Sequence, residues 1–213
     1  MPQSSSSPEL REVDESEVNP KVEAPKRRRV GISDGDVSAP STVPQLLHQL
    51  DVVEQPTSGF QNNCLWFSTQ VAMGRLTAGK QFSEAGEAAS REGRRQIYEE
   101  LLHAWPVTDV DAVGPNDTWW AGYSLRQIKH IHRSNGMMCE PHLFALANLL
   151  QRSIMVVDAH HGPIRVIQYS LGFVVKSPLM FSEVCLARRQ DDEYVWVRLH
   201  AHHFRGLVRQ VSL

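Results

Sequence analysis

Cysteine is scarce: the chain has three in 213 residues, Cys64, Cys139 and Cys185, widely spaced and odd in number. That pattern argues against a disulfide framework and for a reducing compartment. Long apolar runs are missing too, none approaching the roughly 18 to 20 residues that a membrane-spanning helix needs. The first residues lack the basic-then-apolar order of a secretory signal, so a nuclear or cytoplasmic location is expected. Net charge is nearly absent, −2 with histidine neutral, and announces neither a nucleic-acid nor an anionic-membrane partner. Residues 1–42 have almost no aromatic or large aliphatic side chains. They cannot bury enough surface to offset their ordering entropy and read as a disordered tail.

Inside that tail stands a compact basic cluster, Lys26, Arg27, Arg28 and Arg29, preceded by Pro25. Such a cluster suits a nuclear import receptor that reads Lys and Arg stems, or is a solvated run balancing nearby acids. From Val43 onward the composition changes. With 41% hydrophobic and 22% charged residues overall, the chain can build one sizeable core but not two, and 43–213 reads as one domain.

Periodicity divides this domain into a helical and a strand-rich half. Val43, Leu46, Leu47 and Leu50 recur at helical spacing behind a Thr42 cap, and residues 65–76 read as a largely buried helix. A helix over 84–104 would turn Ile97, Tyr98, Leu101, Leu102 and Trp105 inward and Arg91, Arg94 and Arg95 outward. Ser124 and Gln127 form a capping box, and Pro141 suits the first turn of a helix through Leu150. After Gln151, residues 154–157, 164–167, 184–187 and 194–199 are short and rich in β-branched or aromatic residues, which predicts strands. The expected class is α+β, N-terminal helices packed on a mostly antiparallel C-terminal sheet.

Cys64 stands after the polar turn Gln61-Asn62-Asn63 and at the start of the helix over 65–76. There the free N–H groups and the dipole of the helix would favour a thiolate and could stabilise an acyl-transfer oxyanion. A thiolate also needs a proton carrier for the leaving amine. Among ten histidines, His202 and His203 follow the last clear strand, and only one of them can face Cys64. Cys139 and Cys185 read as structural thiols. His130 with His132, Cys139 with His142, His160 with His161 and His200 with His202 offer metal-ligand types, but their spacing fits no compact zinc pattern, so no metal is expected.

Asn63-Cys64-Leu65-Trp66, His203-Phe204 after a strand, and the passage from Ala145 through Leu150 into Ile154-Met155-Val156-Val157 together resemble the ovarian tumour (OTU) family of papain-like cysteine proteases. The resemblance spans roughly residues 58–207 and implies a papain-like fold, Cys64 as nucleophile and His203 as its base. It also implies a deubiquitinase that cuts isopeptide bonds of ubiquitin or a ubiquitin-like modifier without a cofactor. Trp119, Trp120 or Trp196 would then wall the channel for the modifier's tail. Two departures stand out: Gln61 and Asn62 occupy the places of the family's Asp and Gly, and Arg205 stands two residues after His203, where some members carry Asp or Asn. Gln61 or Asn62 is left to complete a Cys-His-amide triad. The same departures leave open an inactive, ubiquitin-binding pseudoenzyme, and the shared thioester chemistry leaves open a deamidase.

Overall fold

The Thr42 hydroxyl accepts the Gln45 N–H while the Gln45 side chain accepts the Thr42 N–H, a reciprocal cap that opens α1 (Val43–Gln49). The computed structural model describes residues 39–77, 80–159, 162–174, 178–190 and 193–210. The described residues all fall within one unit, Ser38–Leu213. The basic cluster Lys26–Arg29 lies outside the described residues. Beyond α1 follow β1 (Val52–Gln55), α2 (Cys64–Ala72), α3 (Glu84–Ala104), α4 (Leu125–Arg133), α5 (Glu140–Leu150), β2 (Ser153–Asp158), β3 (Arg165–Tyr169), α6 (Phe181–Arg188), β4 (Tyr194–His200) and β5 (His203–Arg209).

The strands form one sheet in the order β1-β5-β4-β2-β3, antiparallel except for the parallel pair β2 and β4. Helices cover both faces. On one face Leu65, Ile97, Ile128, Phe144 and Leu146 pack against Ile154, Val156, Val197 and Phe204. On the other, Leu46 and Leu50 of α1 and Val184 and Ala187 of α6 pack against Met155, Val157, Trp196 and Leu207. β2 is buried along its whole length, and each fully buried aliphatic side chain contributes about 1.5–3 kcal/mol of transfer free energy. The α+β reading and the mostly antiparallel sheet hold.

Three predicted or unpredicted elements differ. Residues 184–187 were expected as a strand but belong to α6, where Glu183 accepts the Met180 N–H at 2.8 Å and closes the first turn. Burial there falls on Val184 and Ala187, three apart, while Leu186 is exposed, which is a helical rather than an alternating pattern. β1 was not anticipated and pairs at the sheet edge with β5. β5 itself begins where only a post-strand segment was expected: Ala201 and His202, both in the left-handed region (φ 45° and 64°), make a two-residue hairpin turn that sets His203 opposite His200.

Two glycines let α2 settle deeply. A Cβ on Gly206 of β5 would come within 2.8 Å of the Ser68 carbonyl oxygen, and one on Gly93 of α3 would fall 1.9 Å from Trp66 Nε1. The helix that opens with Cys64 is thus pressed against both β5 and α3. At the sheet edge, Glu54 of β1 receives Arg198 of β4 and Arg205 of β5. Burial alone would raise the Glu54 carboxyl, but the hydrogen bonds and charges of Arg205 and Arg198 outweigh it and hold the group below its ordinary value. The cluster's contribution is therefore complete above the unfolded value near 4.5 and is lost as pH falls through the lowered one. Glu54→Gln, which strands two guanidinium groups, is expected to cost about 1–2 kcal/mol at pH 7 in urea melts, with the gap to wild type closing as pH falls below 4.5 and through the lowered value.

Candidate active site

Cys64 is the first residue of α2, yet only 4% of it is exposed. The N–H groups of Phe204, Leu65 and Cys64 itself hydrogen-bond to its sulfur. Burial nevertheless wins and pushes the thiol above its ordinary value, with the three N–H groups only partly offsetting it. The lowered value expected from the helix terminus is not found, because α2 starts inside the core rather than at the surface. At rest the sulfur is a neutral thiol.

The turn before Cys64 is anchored from below. Asn63, with no exposed surface, donates to Ser90 Oγ at 3.2 Å and accepts from Arg94 Nη1 at 3.1 Å. Arg94 was expected to face outward but is buried to 5% exposure. Its other bonds go to the carbonyl oxygens of Ile131 and Gly136, at 2.9 and 2.6 Å, and more loosely to that of Gln61. Among the described residues no carboxylate bonds Arg94; three carbonyls and one amide take its Nη groups while Nε is buried without a hydrogen bond, and burial pulls its guanidinium below the ordinary value. One planar fork thus ties the turn before Cys64 to the segment between α4 and α5.

His203, first residue of β5, turns Nε2 to Thr57, 3.1 Å from Oγ1 and 3.2 Å from the backbone oxygen. The ring lies over Gly59: a Cβ there would sit 3.4 Å from Cε1 and 3.8 Å from Nδ1. Phe204, the next residue, offers its N–H to the Cys64 sulfur. Helix start and strand start therefore meet across the turn of residues 57–63, although no hydrogen bond joins Cys64 to His203 among the described residues. His202 lines a cleft together with Leu199 and Phe204.

Gln61 and Asn62 do not orient the histidine. Both are exposed and adopt left-handed backbone (φ 49° and 58°); the Asn62 amide is spent on the Asn135 oxygen at 2.8 Å, and the Gln61 carbonyl takes part of Arg94. What they supply is conformation, and asparagine tolerates the left-handed region better than other residues with a Cβ. Arg205 is equally unsuited, being held by Glu54. Thr57, which sequence reading passed over as part of a turn, is the residue that meets the ring.

No protein-family model and no curated protein sequence matches the chain. Solved structures do. The chain is similar to the crystal structure of an OTU deubiquitinase from Wolbachia pipientis wMel bound to ubiquitin, with 13% identity over 75% of this chain and 96% of that one and a TM-score of 0.50. A second crystal structure of an OTU deubiquitinase from Wolbachia pipientis wMel matches at 11% identity over 75% of this chain and 89% of that one, with a TM-score of 0.50. The fold is that of the OTU deubiquitinases.

In this OTU fold a second Cys–His pair lies near α5, and its geometry marks it as a cap. His142 Nδ1 accepts the Cys139 N–H at 3.1 Å with the Cys139 sulfur 3.3 Å away. Cys139 thus has His142 as its partner. Burial pushes its thiol up to about 12 and pulls His142 down to about 3, so neither atom is poised for nucleophilic work. The expected tail walls also move. Trp196 faces α1 and α6, and Trp119 and Trp120 line a cleft of about 430 Å³ with Phe173. The larger cleft, about 680 Å³, is bordered by Tyr123, Met137, Met138, Leu199, His202 and Phe204. Phe204 thus borders both this cleft and the Cys64 sulfur. Among the described residues no His, Cys, Asp or Glu cluster could hold a metal ion.

Two outcomes are expected. Arg94→Met removes the guanidinium from four oxygens around the turn, of which the Ile131 carbonyl keeps the Gly136 N–H, and should cost about 2–4 kcal/mol in chemical denaturation. His142 is neutral in the folded protein and protonates near 6.5 when unfolded, so its contribution is present above pH 6.5 and drains as pH falls toward about 3. His142→Gln can keep the cap without the titration. Its stability should therefore decline less steeply across that window than wild type, the difference reaching at most about 1.4 kcal/mol per pH unit.

Proposed function

We propose that this chain is a cysteine-dependent hydrolase that cuts the isopeptide bond after the C-terminal glycine of ubiquitin or a ubiquitin-like modifier. One observation carries the reading: the start of α2 and the start of β5 bring Cys64 and the His203–Phe204 backbone to a single turn, in a fold shared with an enzyme that was crystallised with ubiquitin.

In this reading His203 takes the Cys64 proton as the sulfur attacks the glycine carbonyl carbon. The negative charge that develops on the carbonyl oxygen is met by N–H groups at the start of α2. His203 then gives the proton to the departing lysine amine, leaving a thioester on Cys64; water attacks that thioester, His203 taking its proton and returning it to the sulfur. The 680 Å³ cleft beside Phe204 is the place for the modifier's extended tail, with Met137, Met138 and Leu199 as apolar wall and Glu140, Asp158 and Arg165 as polar partners for its backbone. The buried thiol, together with a base that no carboxylate or amide orients among the described residues, also supports a second reading, in which the same fold binds the modifier without cutting it.

A ubiquitin probe with a C-terminal electrophile separates the two. Labelling of Cys64 is expected in wild type and absent in Cys64→Ala. His203→Ala should slow it by about 10²–10⁴-fold, while His202→Ala stays within a few fold of wild type. A wild-type chain that binds ubiquitin yet never reacts would establish the second reading instead.

A further inference from the structure

The base of a thiol hydrolase must present an unprotonated nitrogen to the sulfur, and something must fix which nitrogen that is. None of the residues expected to do so reaches His203, whose ring is met by Thr57, a residue only 8% exposed. Counting protons decides the tautomer. The Thr57 hydroxyl has a single proton, and the Phe204 carbonyl oxygen lies 2.5 Å from Oγ1 against 3.1 Å for His203 Nε2. The hydroxyl therefore donates to Phe204, and what it turns to Nε2 is a lone pair. The Thr57 carbonyl, 3.2 Å from the same nitrogen, can only accept. With two acceptors facing it, Nε2 must carry the proton, and Nδ1, on the Gly59 side of the ring, is left unprotonated.

Resting on the hydrolase reading above, we propose that Thr57 is the positioning residue for His203 and stands in for the third member of a triad: its hydroxyl and carbonyl oxygens hold the imidazole in the tautomer whose Nδ1 takes the proton of Cys64. Its contact with the reaction is indirect, through the ring alone. The hydroxyl's bond to Phe204 also ties it to the strand that supplies an N–H to the sulfur, so one side chain sets the ring and braces the backbone beside it. Two neutral oxygens stabilise the imidazolium less than a carboxylate does, which suits a base needed only once substrate has arrived.

The test follows the alkylation of Cys64 by iodoacetamide against pH, read by mass spectrometry of the peptide containing Cys64 so that Cys139 and Cys185 do not interfere. Other titratable groups around the ring are His200 across the hairpin, His202, and Arg205 with Glu54; Thr57 variants leave all of them in place. Wild type should show a shoulder in the histidine range, where imidazolium pairs with thiolate, below the thiol's own ionisation. Thr57→Val, equal in shape but without the hydroxyl, should lose the shoulder and react about 10- to 100-fold more slowly near pH 6, rejoining wild type at high pH; Thr57→Ser should keep it. Should the valine variant fail to fold, Thr57→Ala takes its place. A merely structural role would shift the rate equally at all pH values. Superimposed profiles for wild type and Thr57→Val, equal losses in Ser and Val, or a wild type without a shoulder would each overturn the proposal. Because the reagent needs no ubiquitin, a retained shoulder beside a failed ubiquitin probe refutes only the substrate reading.

Discussion

The seat of α2 on β5 is the constraint on which the rest of the site depends. Two elements far apart in sequence must lie close enough for a backbone N–H of one to reach a sulfur on the other, and bulky residues in the interface would hold them apart. Gly206 removes the side chain that would strike the Ser68 carbonyl, and Gly93 does the same beneath Trp66. The helix therefore drops until the Phe204 N–H meets Cys64. Close packing of this kind tolerates little displacement in either direction, so the register of β5 against β1 and β4 fixes where His203 stands as firmly as it fixes the core.

Depth has an electrostatic consequence. A sulfur sunk to 4% exposure gains three N–H partners and loses water, and the loss dominates. The helix terminus, which at a surface would favour a thiolate, here supplies donors to a thiol that stays protonated. The turn preceding it is kept rigid by a charge of the opposite kind: Arg94, buried without a carboxylate and spread over the oxygens of Gln61, Asn63, Ile131 and Gly136. A positive charge this close to the turn, bonded among the described residues to neutral oxygens alone and with its Nε unpaired, leaves part of its field unspent for any anion that forms nearby.

The sequence disclosed what local chemistry controls. Thr42 with Gln45 and Ser124 with Gln127 cap their helices as spaced, and the helix over 84–104 has the bounds its periodicity implied. It was silent where meaning comes only from pairing. β5 alternates His, Arg and Leu against Phe and Gly, a pattern that reads as a strand only once α2 is seen to cover the Phe204 and Gly206 side. Arg94 looked like a solvated charge because four backbone and amide oxygens from three separate segments converge on it. Thr57 lies 146 residues from the ring it touches, and a Pro-Thr-Ser-Gly stretch carries no local mark that distinguishes a positioning hydroxyl from an ordinary turn.

The departures from the OTU pattern become coherent when taken together rather than one by one. Arg205 in the place of an acid would, if free, repel an imidazolium two residues away; Glu54 holds it and shares that duty with Arg198. In place of an acid there, Thr57, two residues beyond the end of β1, meets the ring across the same β1–β5 edge. Asn62, where the family has glycine, keeps the left-handed backbone at a cost that asparagine bears better than other side chains. A neutral thiol, an imidazole bonded among the described residues to neutral oxygens alone, and a turn built on Gln61 and Asn62 describe one electrostatic state, in which burial makes ionising Cys64 costly.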